Sequence, residues 1–191
     1  GEAQPLIYSM DNERVVLLGT FSKTFLPGFR LGWVIAPTNI IDKLIVAKQS
    51  TDLCAPVFDQ AVAAKYLEKG LFDKNLKKTI DLYRTKRDQM LSCFEKYMPA
   101  GVTWTKPEGG LFLFVTLPEG YDATELFNVA IKENVAFVIG EAFHCDGSGK
   151  NTMRINFSFM NEEKTEEGVK RLATAIKKML ETAPVPAATT F

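Results

Sequence analysis

A run near the start of the chain, residues 15–33, constrains the fold most because it places two basic side chains between two apolar segments. The apolar, partly β-branched segment before Ser22 predicts a buried strand, and Leu31–Ala36 predicts another. The loop that joins them carries Lys23 and Arg30. We therefore expect this loop to be fixed at both ends.

The residue types in this loop suit an anionic aldehyde cofactor. The amine of Lys23 can form a Schiff base with a carbonyl when the site suppresses its charge. The hydroxyls of Thr20 and Ser22 can donate to phosphate oxygens, and Arg30 can add a bidentate contact. Pro27-Gly28 predicts a turn that brings Arg30 back towards Lys23. For the isolated Ser-Lys-x6-Arg pattern, an ordinary surface lysine and arginine beside a hairpin loop is the commoner interpretation.

Composition narrows the class of partner. Among 191 residues, 23 are Lys or Arg and 23 are Asp or Glu, so the formal net charge is zero. Without a basic block, charge gives no support for nucleic-acid or membrane binding, and a small molecule is the simpler ligand. Cys54, Cys93 and Cys145 are odd in number and far apart, which argues against a disulfide framework and a zinc site and fits a cytoplasmic protein. His144 is the only histidine, so we expect no metal site.

Periodicity and helix-breaking residues divide the chain. The pattern predicts a helix capped by Thr38 or Asn39 and ending near Thr51, and a long helix over about residues 72–98. The further predicted elements are a helix from Pro56 to Lys69, strands near 102–105, 111–117, 136–139 and 152–159, a helix opened by Asp122 and a helix after Asn161. The expected organisation is residues 1–70, a linking helix over 71–98, a small α+β domain over 99–182, and a flexible tail over 183–191.

Several segments resemble one enzyme family. Residues 22–32 match the pattern Ser-Lys-x-x-x-Pro-Gly-x-Arg-x-Gly, and residues 107–118, 140–143 and 151–158 match further family segments. These motifs resemble fold-type I pyridoxal phosphate enzymes, specifically class I/II aminotransferases. The similarity is greatest to the 2-aminoadipate, kynurenine and aromatic aminotransferase branch, which includes the aminotransferase-like domains of MocR-type regulators.

The resemblance implies a fold and a set of site residues. The fold class is α/β and α+β: the end of a fold-type I large-domain sheet, a long linking helix and an α+β small domain. By resemblance, Lys23 is catalytic, and Thr20, Ser22 and Arg30 join it in binding pyridoxal 5′-phosphate. Arg154 binds the substrate carboxylate.

The alternation of residues around Arg154 predicts which face of the strand each side chain occupies. Met153, Ile155, Phe157 and Phe159 should share an apolar face, which leaves Arg154 on the opposite, polar side. Its planar guanidinium matches a carboxylate. Alternation alone favours a solvated strand arginine, and the resemblance favours the binding role.

The resemblance also implies that the front half of the family's chain is absent. That half contributes a phosphate loop, a stacked aromatic ring and an aspartate for the pyridine nitrogen. We therefore expect a parent aminotransferase, cytoplasmic and homodimeric, that acts on an amino acid and a 2-oxo acid, while this chain alone has little activity. Residues 1–70 should expose apolar faces, and the later α+β portion should be more stable.

Other functions remain open on the same scaffold. The chain could belong to a MocR-type transcription regulator, with an upstream DNA-binding domain as its only nucleic-acid contact. It could instead be a non-catalytic structural module. A decarboxylase, lyase or racemase would share the lysine and the fold without sharing the reaction.

Overall fold

The computed structural model describes residues 4–182, which form two compact units. The first unit ends at Ile80 and the second begins at Asp81. The helix α3 (Leu71–Tyr97) contains this boundary. The predicted tail over 183–191 lies outside the described residues. Over residues 4–182, no helix has both the length and the apolar character that a membrane span requires.

The first unit is a two-stranded antiparallel ribbon followed by helices. Its elements are β1 (Leu17–Thr20), β2 (Gly32–Ile35), α1 (Thr38–Thr51) and α2 (Val57–Glu68). The predicted cap of α1 by Thr38 or Asn39 is wrong. Pro37 occupies the capping position, and its carbonyl accepts the N–H groups of Ile40 and Ile41 at 2.9 and 3.0 Å. Proline suits a helix start because it lacks the N–H that would have no partner there.

The two strands form where they were predicted, but they are not buried. Leu18 is 71% exposed and Trp33 is 43% exposed. Within residues 4–80, Leu31 and Ala63 are the buried hydrophobic residues. A two-stranded ribbon is too small to bury both of its faces. The prediction of buried strands is therefore wrong for the described residues, whereas the expectation that this unit exposes apolar faces is confirmed.

The second unit is a four-stranded antiparallel sheet with helices packed on one face. The strand order is β3-β4-β6-β5, and the strand and helix bounds are β3 (Thr103–Trp104), β4 (Phe112–Thr116), α4 (Ala123–Lys132), β5 (Val138–Ile139), β6 (Thr152–Asn156) and α5 (Glu162–Thr182). Leu113 and Met153 of the central strands are fully buried in one core with Phe94 of α3 and Ile176 of α5. The sheet's other face carries half-buried side chains.

The helix starts in this unit follow the sequence. The carboxylate of Asp122 accepts the N–H of Thr124 at 2.7 Å, and Asn161 accepts the N–H of Lys164 at 3.0 Å. Side-chain caps of this kind satisfy donors that a helix leaves free. The prediction that Phe159 lies on the buried face is wrong, since that residue is 83% exposed. The strand ends at Asn156, whose side chain accepts the N–H of Ser158 at 2.9 Å and turns the chain.

Candidate functional site

The loop between β1 and β2 is held closed at its base. The N–H of Phe21 donates to the carbonyl of Leu31 at 3.0 Å. The hydroxyl of Thr20 donates to the same carbonyl at 3.4 Å and accepts the N–H of Ser22 at 3.1 Å. The predicted loop anchored at both ends is confirmed in this geometry. Thr20 fixes the loop's backbone through these bonds.

Arg30 returns across the loop to Ser22. A 3-10 turn over Pro27–Phe29 precedes it, and its own backbone is left-handed, with φ 52° and ψ 33°. Its guanidinium donates to the carbonyl of Pro27 at 3.0 Å and to the hydroxyl of Ser22 at 3.4 Å. The turn thus brings the arginine next to the residue that precedes Lys23. A left-handed backbone is uncommon for a residue other than glycine. The backbone of Arg30 is therefore strained in the conformation that directs its side chain towards Ser22.

Lys23 is exposed on this loop, and no acidic side chain of residues 4–182 forms an ion pair with it or with Arg30. Aromatic packing holds the same loop to α2, where Phe25 stacks on Tyr66 with ring centroids 4.3 Å apart. The loop therefore presents two uncompensated cations and two hydroxyls on a supported backbone. Such a set of donors attracts an anion, and phosphate in particular.

Arg154 lies in β6 of the second unit, between two aromatic side chains. Its guanidinium carbon is 4.1 Å from the ring centre of Phe112 and 4.5 Å from that of Phe143. Its Nε is buried and has no hydrogen-bond partner among the described residues. Cation–π contacts hold the guanidinium without using its N–H groups. The buried Nε thus lacks an acceptor, such as a carboxylate oxygen, within residues 4–182.

The two rings were not predicted as site residues. Phe112 lies in the sequence segment 107–118 that resembled the family, and Phe143 ends the 3-10 turn Gly140–Phe143. Alternation along β4 places Phe112 and Phe114 on the face opposite the buried Leu113, and the register pairs Phe114 with Arg154. That alternation was the available signal for Phe112. Phe143 reaches Arg154 only through the turn beside β5.

The predicted site residues fall in different units. Thr20, Ser22, Lys23 and Arg30 lie in the first, and Arg154 lies in the second. The described residues contain no cluster of three or more His, Cys, Asp or Glu side chains that could hold a metal ion.

A separate cavity of about 400 Å³ opens in the second unit. Met90, Phe94, Ile155 and Leu172 contribute to its apolar lining, and no predicted site residue does. At its polar rim, Arg171 is already paired with Glu167 at 2.8 Å. The cavity is therefore apolar and already paired at its rim, and the candidate site residues remain those of the β1–β2 loop and Arg154 of β6.

Comparison with known sequences gives a family match over most of the chain. The sequence profile of the family described as aminotransferase class I and II matches residues 2–172. The aromatic-amino-acid aminotransferase 1 of Thermococcus litoralis is 51% identical over 179 residues, which are 93% of this chain and 43% of that protein. The chain thus spans less than half the length of this relative.

Solved structures agree in fold. A multiple substrate aminotransferase from Thermococcus profundus has a TM-score of 0.91 and 50% identity, covering 96% of this chain and 46% of that one. The α-aminoadipate aminotransferase of Thermus thermophilus, solved with N-(5′-phosphopyridoxyl)-L-leucine, has a TM-score of 0.90 and 36% identity, covering 96% and 48%. The predicted α/β and α+β fold class of fold-type I is confirmed.

Regulators also appear among the relatives. A protein described as the uncharacterized HTH-type transcriptional regulator YisV of Bacillus subtilis is 29% identical, covering 93% of this chain and 36% of that protein. It shares the region that the family profile matches. The residues of the β1–β2 loop, the fold and the extent of the match together show that this chain belongs to the class I and II aminotransferase family.

Proposed function

We propose that the full-length protein carrying this chain is a pyridoxal-phosphate-dependent aminotransferase that exchanges an amino group between an amino acid and a 2-oxo acid. One observation carries the proposal: the guanidinium of Arg30 donates a hydrogen bond to the hydroxyl of Ser22, the residue that precedes the exposed Lys23. Hydroxyl, guanidinium and amine within one short loop suit a cofactor that has both a phosphate and an aldehyde. The family and the solved relatives support this choice.

In this proposal Lys23 has two tasks. Its amine would hold the cofactor through its aldehyde carbon while no substrate is present. Pyridoxal phosphate, when bound, supplies an electron sink for the electron pair of the substrate's Cα–H bond. Once an amino acid had displaced it, the Nζ of Lys23 would take the proton from the substrate's Cα as general base and, as general acid, would deliver it to the cofactor's C4′ carbon.

Arg30 and its neighbours would hold the phosphate. The guanidinium and the hydroxyl of Ser22 already lie within 3.4 Å of each other, so both can donate to oxygens of one phosphate group. Thr20 supports the loop's backbone through the N–H of Ser22 at 3.1 Å. To donate to the phosphate, its hydroxyl would turn away from the carbonyl of Leu31, which is 3.4 Å away. Charge-assisted donors of this type give the strongest hydrogen bonds.

Arg154 would hold the carboxylate that every amino acid and 2-oxo acid substrate carries. The guanidinium lies over the two phenyl rings. Its Nε has no hydrogen-bond partner among the described residues. Binding both substrates through the same carboxylate lets one site serve both halves of the exchange. The paired fork geometry of arginine and carboxylate also orients the substrate.

The decisive experiment uses the full-length protein with its cofactor. Borohydride reduction, which makes the bond between lysine and cofactor permanent, should label Lys23 in a peptide map by mass spectrometry. Lys23→Ala should lose both the label and turnover, whereas Lys43→Ala, an exposed lysine of α1, should retain both. Turnover in the Lys23→Ala protein, or a label on another lysine, would overturn the assignment.

The relationship to regulators supports a second candidate, a ligand-sensing domain that binds the cofactor and an amine without turnover. This candidate requires a DNA-binding domain in the same polypeptide. A gel-shift assay with the full-length protein separates the two: DNA binding without turnover favours the sensor, and turnover without DNA binding favours the enzyme.

Three further proposals concern the whole protein. We propose a homodimer, to be tested by light scattering. We propose a cytoplasmic location, which the unpaired Cys54, Cys93 and Cys145 support. Cell fractionation can test this location.

We also propose that the 191-residue chain has little activity by itself, because it spans less than half of its aminotransferase relative. Turnover by this chain at the rate of the full-length protein would refute that proposal.

A further inference from the structure

We propose that His144 is a positioning residue for Arg154. It fixes the loop 140–149 so that Phe143 stays packed on the guanidinium. This inference rests on the proposed role of Arg154 as the carboxylate-binding residue. It assigns no direct contact with substrate to His144.

Phe143 is the link between the loop and the arginine. Its ring centre lies 4.5 Å from the guanidinium carbon, and its edge contacts Phe114 with centroids 6.0 Å apart. Phe143 is also 48% exposed, so burial alone does not hold it in place. Its position depends on the backbone of the turn that carries it.

His144, the next residue, connects that turn to the start of β6. Its Nδ1 lies 3.1 Å from the hydroxyl of Ser148, and its Nε2 lies 3.4 Å from the hydroxyl of Thr152. Its backbone N–H donates to the carbonyl of Glu141 at 3.0 Å. The imidazole thus contacts the end of the loop at Ser148 and the start of β6 at Thr152, two residues before Arg154.

The hydrogen-bond pattern assigns the ring's proton. The hydroxyl of Ser148 donates to the carboxylate of Asp146 at 2.6 Å, so its only proton is already used. This hydrogen bond is also the main cause that lowers the pKa of Asp146. Nδ1 therefore carries a proton and donates to the hydroxyl of Ser148. The hydroxyl of Thr152 likewise gives its proton to the carbonyl of Gly149 at 2.6 Å, so it does not donate to Nε2, which lies 3.4 Å away.

Two glycines let the loop close this tightly. A Cβ at Gly149 would lie 2.2 Å from Cδ2 of His144, and a Cβ at Gly140 would lie 2.0 Å from the hydroxyl oxygen of Thr152. Gly149 also has a φ of 78°, which favours glycine. The imidazole therefore lies directly on the backbone of the loop at Gly149, which fixes the turn that carries Phe143.

The assignment of the proton makes two substitutions unequal. His144→Asn places an amide N–H near the position of Nδ1 and can still donate to Ser148. His144→Gln places its amide near Nε2 and cannot. Ser148→Ala removes the acceptor and keeps the ring, so it should behave like His144→Gln. Cys145→Ser, in the same exposed loop, is the matched control.

The first readout is the Nε–Hε signal of Arg154 in NMR spectra of the 191-residue chain. Ring currents from Phe112 and Phe143 should shift it away from the other arginine signals, and His144→Asn and Cys145→Ser should keep that shift. His144→Gln and Ser148→Ala should lose it. An unchanged Arg154 signal in both of these variants overturns the proposal.

The second readout is kinetic and uses the full-length protein. His144→Gln should raise KM for both substrates about tenfold and change kcat by less than about twofold, because only carboxylate binding is impaired. A loss confined to kcat contradicts a positioning role. Failure of the proposed function is recognised separately: 3-phenylpropionate would then not compete with the amino acid substrate of the full-length wild-type protein, although His144→Gln still shifts the Arg154 signal of the 191-residue chain.

Discussion

The guanidinium of Arg30 and the hydroxyl of Ser22 meet across the β1–β2 loop at 3.4 Å, although eight residues separate them in sequence. Arg30 reaches this position with a left-handed backbone. The planar fork can contact Ser22, the carbonyl of Pro27 and a phosphate oxygen together. A lysine ammonium has three donors but lacks the planar fork that binds a phosphate through two parallel hydrogen bonds.

Arg30→Lys in the full-length protein should therefore weaken cofactor binding about tenfold, the loss expected for one charge-assisted hydrogen bond. Cofactor release during dialysis, followed by absorbance, measures this. Arg14→Lys, an exposed position paired with Asp11 in the same unit, provides the control. Equal affinity of the Arg30→Lys protein and the wild type would show that Arg30 does not hold the phosphate.

Arg154→Ala should reduce kcat/KM for both the amino acid and the 2-oxo acid by about 10- to 100-fold, since hydrogen bonds to a charged group contribute about 1.5–3 kcal/mol. The main change should be in KM. Steady-state kinetics with each substrate in turn give the result. Arg84→Ala, which removes an exposed pair with Asp81, should have little effect. Unchanged saturation by both substrates argues against the carboxylate-binding role.

Met153→Ala should reduce the free energy of unfolding of the second unit by about 2–5 kcal/mol, because this fully buried side chain would leave a cavity in the core. Met160, which is 47% exposed, gives a matched control, and Met160→Ala should cost about 0.5 kcal/mol or less. A Trp33→Phe background leaves Trp104 as the fluorescent reporter during urea unfolding. Equal losses in the two variants would contradict the described core.

The contact between α3 and α5 should be sensitive to acid. Tyr97 of α3 donates to the carboxylate of Glu166 in α5, and Lys170 lies 3.0 Å from the same carboxylate. The hydrogen bond from Tyr97, followed by Lys170, lowers the pKa of Glu166. A lowered pKa in the folded state means that the carboxylate stabilises the fold above the ordinary glutamate pKa of about 4.3, and that this contribution disappears as pH falls through the lowered value.

Tyr97→Phe should therefore be less stable than wild type near neutral pH, and the difference should shrink below about pH 4.3. Urea unfolding at a series of pH values measures the two free energies. A difference that stays constant across the acid range would mean that the effect of Tyr97 arises from packing and not from Glu166. Lys96 and Lys170, whose ammonium groups lie 4.9 and 5.1 Å from the Tyr97 ring, remain in both proteins.

Amide hydrogen exchange should be slower in the core of residues 81–182 than in residues 4–80. The second unit buries Phe94, Leu113 and Ile176 completely, whereas Leu18 in the first unit is 71% exposed. Exchange from a segment with few buried contacts requires little opening free energy. Mass spectrometry of the 191-residue chain gives the comparison, and equal protection in both units would contradict it.

Much of the fold follows from local sequence signals. Pro56 and Gly70 bracket α2, and Asp122 and Asn161 start the helices that follow them, because each acts through its own backbone or nearest turn. The errors arose where distant residues decide the outcome. The burial of β1 and β2 depends on what covers them, and the exposure of Phe159 depends on where β6 stops pairing.

In the candidate site, too, the features set by local sequence were predictable and those set by distant residues were not. The residue types around Lys23 indicated an anionic cofactor, and the resemblance proposed roles for Arg30 and Arg154. The contact between Phe143 and Arg154 was not predictable, because it requires β5 to pair with β6 and a 3-10 turn to follow. The left-handed backbone of Arg30 was likewise hidden, since arginine has no preference for that conformation.

The packing of Gly140 and Gly149 determines how the loop between them can be redesigned. A side chain at either position would collide with Thr152 or His144, so a saturation library should recover only glycine there among folded clones. Ala142 and Cys145 are exposed and should accept most residues. Directed evolution of substrate scope could therefore vary these two positions freely. The glycines on either side would keep the backbone of the loop in its present conformation.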